Sequence, residues 1–155
     1  MTNRKEPVLV LGVGNILVGD EGVGVHLVQK MQQQDVPAGV EIVDGGTGGF
    51  HLLELLGRFQ RIILVDATRD GNPAGTVRQF SPRLASDFPP SLGAHDIGLN
   101  DLISAAALLG PLPDMTVVTI SIKELKPMTM ELSEEVGNAI PEAIGLIHKI
   151  LEDAN

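Results

Sequence analysis

A chain of 155 residues, 43% hydrophobic and 20% charged, is long enough to bury one substantial core and has the make-up of a globular protein. Its formal charge of −9 and its lack of Trp and Tyr argue against a nucleic-acid partner, which needs Lys and Arg on phosphates and aromatic platforms under bases. With no cysteine there is no disulfide, thiolate metal site or cysteine nucleophile, so any metal must be held by carboxylate, imidazole or backbone oxygen.

The opening MTNRKEP leads into an apolar strand with no secretory h-region, and no apolar run reaches bilayer length. A cytoplasmic protein without membrane insertion is expected. The first strand, Val8–Gly12, ends in a Gly-rich turn, and a helix starting near Gly22 buries Gly24, Leu27, Val28 and Met31 at helical spacing. A strand over Val40–Asp44 precedes a helix from about Thr47 to Leu56, and Arg61–Asp66 forms a third, near-continuously apolar strand. Thr76–Phe80 is more polar and follows DGNPAG, so it reads as an edge strand running antiparallel. Ser81–Asp96 is rich in Pro, Ser and Gly and has no period; a connection this long is often functional. A third helix, from about Asp96 to Leu109, presents Leu99, Leu102, Ile103 and Ala106, and Thr116–Ile122 is the fifth strand. The last helix starts near Ser133, a good N-cap, and presents Val136, Ile140, Ile144, Ile147 and Leu151. Pro141 predicts a kink or a split in it. The alternation specifies an α/β fold with a largely parallel sheet, as a single domain over residues 1–155.

The turn GVGNILVGDEGVG begins like a dinucleotide site but departs from it. Leu17 stands where the fingerprint needs its third glycine, and Asp20 and Glu21 would repel a pyrophosphate at the helix start. Asp44 does mimic a ribose-binding acid, which keeps a dinucleotide-binding oxidoreductase as a minor alternative. The plainest role for Asp20 and Glu21 is to complement a helix dipole, worth ~0.3–1 kcal/mol each. Asp44 in DGG could simply hold its own turn, and Asp66 could cap the loop after it.

Position argues for more than that. Glu21, Asp44 and Asp66 each follow a parallel strand, and ligands of open α/β sheets collect outside those carboxyl ends. Asp66 follows four apolar residues, and desolvation raises a carboxyl pKa unless a cation or hydrogen bonds compensate. If the loop carrying His95 folds back over the strand ends, Glu21, Asp66 and His95 form an O,O,N set suited to a divalent metal such as nickel or zinc. His26, His51 and His148 lie among polar helical neighbours and read as ordinary. The sequence has no Gly-x-Ser-x-Gly elbow, HExxH or P-loop, which leaves carboxylate acid–base chemistry or metal-assisted hydrolysis.

The segments LGVGNILVGDEGVGVHLV, EIVDGGTGG, IILVDAT, GAHDIGL and IKELKPMTMELSEEV, in that order over nearly the whole chain, resemble the hydrogenase maturation endopeptidases. The resemblance implies a three-layer α/β/α fold, phosphorylase/hydrolase-like, whose five-stranded mixed sheet is mostly parallel with one antiparallel edge strand. It implies an endopeptidase that removes the C-terminal extension of a [NiFe]-hydrogenase large-subunit precursor once nickel, supplied by that precursor, is in place. The chemistry implied is of the aspartic type or metal-assisted. Matched motif by motif, the family's metal-contacting acid falls on Glu21, its aspartate after the third strand on Asp66, and its loop histidine on His95. Asp44 matches the aspartate of the Asp-Gly-Gly-Thr motif. Asp66, Glu21 and Asp44 are thus the candidate catalytic residues, and Glu21, Asp66 and His95 the candidate nickel contacts. Gly93-Ala94 stands before the histidine where relatives often have Ser-Pro. A non-enzymatic nickel-binding assembly module using the same three residues is the alternative, and a monomer is expected.

Overall fold

Five strands form one sheet: β1 (Val8–Val13), β2 (Val40–Gly46), β3 (Arg61–Thr68), β4 (Val77–Phe80) and β5 (Asp114–Ser121). They lie in the order β2-β1-β3-β5-β4, all parallel except β4, which runs antiparallel to β5 at the edge. The computed structural model describes residues 7–47, 50–84, 87, 99–125 and 128–153. Four helices complete it: α1 (Val23–Gln32), α2 (Phe50–Arg58), α3 (Leu99–Leu109) and α4 (Glu134–Asp153).

Successive strand residues face opposite sides, and at the centre of the sheet both sides are covered, which is why β1 and β3 read as near-continuous apolar runs. Val10, Ile63, Val65, Val118 and Ile120 pack with α1 and α4. Leu9, Leu11, Ile62, Leu64 and Val117 pack with α2 and α3. The three-layer fold with its antiparallel edge strand is therefore as expected. Element ends differ. β3 runs on through Ala67 and Thr68, because both pair with β5, and β5 begins two residues early at Asp114, opposite Arg61. A 3-10 turn, Gly19–Gly22, precedes α1, and α2 is shifted toward its C-terminus. Asp96, the expected start of α3, lies outside the described residues.

Pro141 neither splits α4 nor ends it; the helix runs unbroken for 20 residues. Pro141 is exposed, while Val136, Ile140, Ile144, Ile147 and Leu151 stay buried on the other side. The apolar stripe outweighs one missing hydrogen bond.

Two glycines bring α1 down onto the strands. A Cβ on Gly24 would lie 2.5 Å from the carbonyl oxygens of both Val13 and Val65, and one on Gly12 would strike the Gly24 carbonyl and the Val28 side chain. The start of α1 thus rests backbone-to-backbone on β1 and β3.

The 3-10 turn is also tied to α4. Asp20 accepts hydrogen bonds from the Ser133 amide and hydroxyl, both at 2.7 Å, while Ser133 Oγ accepts from the Val136 amide at 3.4 Å. Asp20→Ala is expected to cost about 2 kcal/mol of stability, as a charged acceptor with two donors is lost. Ser133→Ala is expected to cost about 1 kcal/mol as a lost N-cap. Urea denaturation checks both, and the double variant should cost less than the sum because the two residues share the contact.

Beyond β3, Asp70 accepts from the Asn72 side chain at 2.9 Å and amide at 3.0 Å, and from the Ser121 hydroxyl at 2.9 Å. Burial is the largest single influence and raises the Asp70 carboxyl, but these hydrogen bonds together outweigh it and hold the pKa below its ordinary value of 3.8. A depressed carboxyl stabilises the fold above its ordinary pKa and loses that contribution as pH falls through the folded value. The exposed setting keeps the gain below about 1 kcal/mol. Asp70→Asn should therefore reduce stability at pH 7 and flatten its decline below pH 3.8, as read by denaturation across pH.

Candidate active site

Sheet order fixes where a site can form. From β1 the chain goes to β2 on one side, and from β2 it crosses to β3 on the other, so β1 and β3 flank the topological switch point. The crevice at the carboxyl ends of such strands is where α/β proteins place ligands. Glu21 arrives there from the 3-10 turn after β1, and Asp66 comes from β3 itself.

Both acids are buried, Glu21 to 1% exposure and Asp66 to 0%. The turn carrying Glu21 packs against β3, and the Gly24 contact with the Val65 carbonyl touches the peptide that leads into Asp66. On its other side the Glu21 carbonyl fills the space a Cβ on Gly14 would need, with Gly14 at φ 143°. Asp66 Oδ1 accepts the Ala67 amide at 2.8 Å, which fixes the carboxylate close to its own backbone. Asp66 pairs in register with Thr119, and both are buried, as are Thr68 and Ser121 further along. The carboxyl ends of β3 and β5 are thus polar although the strands upstream are apolar at their centres.

Asp44 is placed differently. It is exposed, accepts the Gly46 amide at 2.9 Å, and takes a 3.3 Å hydrogen bond from the Gln29 side chain of α1. Asp44 is in register with Gly12, and Gly12 with Val65, so Asp44 lines up with Val65 and not with Asp66. Along β3 Val65 belongs to the α1/α4 face, and Asp66 belongs with Ile62 and Leu64 to the α2/α3 face. Glu21 and Asp66 sit on contacting elements at the carboxyl ends of β1 and β3, whereas Asp44 stands across β1, on the α1 side of the sheet. His95 lies outside the described residues. Among the described residues, no group of three or more carboxylate or imidazole side chains is placed to hold a metal.

Asp20 has a role that its sequence neighbours do not disclose. It is adjacent to Glu21 but turns to Ser133, 113 residues away, and so supports the turn rather than the crevice. The sequence signal for that role, Ser133 as an N-cap, names one end of the contact only. The glycine space at the first turn is also taken. In a dinucleotide site glycine opens the backbone to a pyrophosphate; here the Glu21 carbonyl occupies the place beside Gly14, which removes the basis of the oxidoreductase alternative.

Comparison with known proteins identifies the family. The family model for hydrogenase maturation proteases matches residues 25–150. The hydrogenase expression/formation protein HupD of Rhodobacter capsulatus is 36% identical over 148 residues, covering 91% of this chain and 69% of its own. The hydrogenase 2 maturation protease of Escherichia coli (strain K12) is 36% identical over 124 residues, 77% of this chain and 76% of its own. The structure of the hydrogenase maturating endopeptidase HybD from E. coli superposes with a TM-score of 0.85 at 33% identity, covering 96% of this chain and 94% of HybD. The chain belongs to the hydrogenase maturation protease family.

Proposed function

We propose that this protein is an endopeptidase that removes the C-terminal extension of a [NiFe]-hydrogenase large-subunit precursor after nickel has been inserted. One observation carries the reading: in a chain of this protease family, two buried carboxylates from separate but contacting elements, Glu21 and Asp66, stand at the β1/β3 switch point. Nickel is the precursor's cargo in this reading. Glu21, Asp66 and His95 complete its coordination, so the extension docks beside the acids only when the metal is present, and binding of the metal aligns the bond to be cut. One carboxylate of the Glu21/Asp66 pair takes a proton from water as the water oxygen adds to the scissile carbonyl carbon. The C–N bond then breaks, and a proton passes to the leaving amine. Asp44 holds the turn after β2 through Gly46 and Gln29. None of this chemistry needs a membrane, and no described helix is long and apolar enough to cross one.

Asp66→Asn and Glu21→Gln are each expected to slow processing of nickel-loaded precursor by ~10²-fold or more, the scale of a lost acid–base group. The gel shift of the precursor band measures it, and full activity of either variant removes that residue from the chemistry. The same assay on metal-free precursor should show no cleavage. Normal cleavage there would end the gating role of nickel, and binding of loaded precursor without any cleavage would leave an assembly module.

A further inference from the structure

Three large apolar side chains stand exposed on one short ribbon beside the turn that carries Glu21. The ribbon forms where Leu17–Gly19 pairs with Thr129: Val18 and Thr129 make a parallel bridge, the Thr129 amide donates to the Leu17 carbonyl at 3.1 Å, and the Gly19 amide donates to the Thr129 carbonyl at 2.8 Å. The bridged residues, Val18 and Thr129, are half-buried, whereas their neighbours Leu17, Met128 and Met130 are 52%, 89% and 55% exposed. The Glu21 amide donates to the Val18 carbonyl at 3.2 Å, so the ribbon leads straight into the turn that carries the acid.

Met128 adds a second observation. Its φ of 64° makes it the one non-glycine residue with positive φ among the described residues. That region crowds the Cβ of a methionine and would leave a glycine unstrained. A side chain that is strained in backbone and almost wholly solvated does nothing for the stability of this chain. Strain of this kind is characteristic of binding and catalytic segments.

We propose that Leu17, Met128 and Met130 form an apolar shelf that seats nonpolar side chains of the precursor segment flanking the cut bond. The proposal rests on the proteolytic reading above, since a polypeptide cut beside Glu21 must run past the ribbon. The shelf carries no charge in a chain of net charge −9, so it favours aliphatic or thioether side chains over acidic ones. Methionine suits the task because its flexible, polarisable side chain adapts to its partner. A second copy of the chain is the weaker occupant, because three side chains fall well short of the ~800 Å² per partner of a stable interface. Exposed Leu108 and Leu109, at the end of α3 that leads toward the amino end of β5, do not border the acids.

The test uses the full chain and nickel-loaded precursor. Met128→Gly fits the positive φ and removes only the side chain, and Met130→Ser and Leu17→Ser remove the others. Combined, they should raise KM, and weaken precursor binding measured without turnover, by about tenfold or more while kcat stays within about twofold. Leu108→Ser, far from the shelf, should change neither. Unchanged KM and binding in the triple variant overturn the shelf. So does a wild-type dimer that the triple variant dissociates with KM unaltered, which would assign the patch to a second copy. Met128→Gly alone should keep or raise Tm, and an equal rise in KM in Leu108→Ser would overturn the assignment as well. Glu21→Gln separates the two levels: if it cleaves like wild type, that acid's chemical role fails, whereas wild-type binding by the triple variant beside an inactive Glu21→Gln sinks the shelf alone.

Discussion

Everything at the carboxyl end of this sheet depends on how closely α1 approaches the strands. Gly12 and Gly24 face each other with no side chain between them, and Gly24 also meets the backbone of β1 and β3. A single methyl group at either place would push the helix outward. Protein interiors are packed too densely to absorb such a shift locally, so the 3-10 turn would move with it. The turn carries Glu21, and β3 carries Asp66. The relative placing of the two elements that carry these acids is therefore set by a contact that contains no functional group at all. The same glycines that make the opening motif look like a phosphate site do a packing task here, and the space they free is filled by protein.

Adjacent acids in Gly-Asp-Glu-Gly divide two kinds of work. Asp20 anchors the turn to the first residues of α4 through Ser133, and the Val18–Thr129 bridge adds a backbone link in the same region. Glu21 is left in a buried place with its backbone clamped between Gly14 and α1. A turn held from three directions can keep a carboxylate in one position, which acid–base chemistry requires far more than it requires the carboxylate alone. The C-terminal helix thus braces the turn through the residues at its start.

The strands are legible in the sequence because both faces of the sheet are covered, leaving apolar runs that polar loops cannot imitate. Their ends are not. Asp66 reads as the last residue of its strand because the apolar run stops there, yet pairing with β5 carries the strand through Ala67 and Thr68. The three acids at strand ends are legible as a group, but not their facing. Asp44 and Asp66 differ by one step of register across β1, and one step reverses the face of a strand. No local pattern in VDGG or LVDAT encodes that step. Pro141 misleads for a similar reason: its local cost is fixed, whereas the buried stripe that overrides it is assembled from residues on both sides. The partnership of Asp20 with Ser133 spans 113 residues and leaves no periodic trace.

Selectivity is the harder problem in the proposed reading, where the protease must cut one bond in one partner at one stage of its assembly. An apolar contact discriminates weakly: a methylene more or less in a hydrophobic site is worth ~1–3 kcal/mol, or roughly 10- to 200-fold. A shelf of Leu17, Met128 and Met130 could therefore choose among chain segments but could not tell a finished precursor from an unfinished one. In the proposed reading a metal shared with the buried carboxylates supplies what the shelf lacks, because its absence would remove the aligning contact outright instead of weakening it by one methylene. In the proposed reading the two demands fall on either side of Gly19 along one continuous backbone: Leu17 before it reads the chain, and Glu21 just beyond it reads the metal. Their contributions add as free energies and so multiply as rate factors, and the contacts of Asp20, Ser133 and the paired glycines hold the turn that joins them in one place.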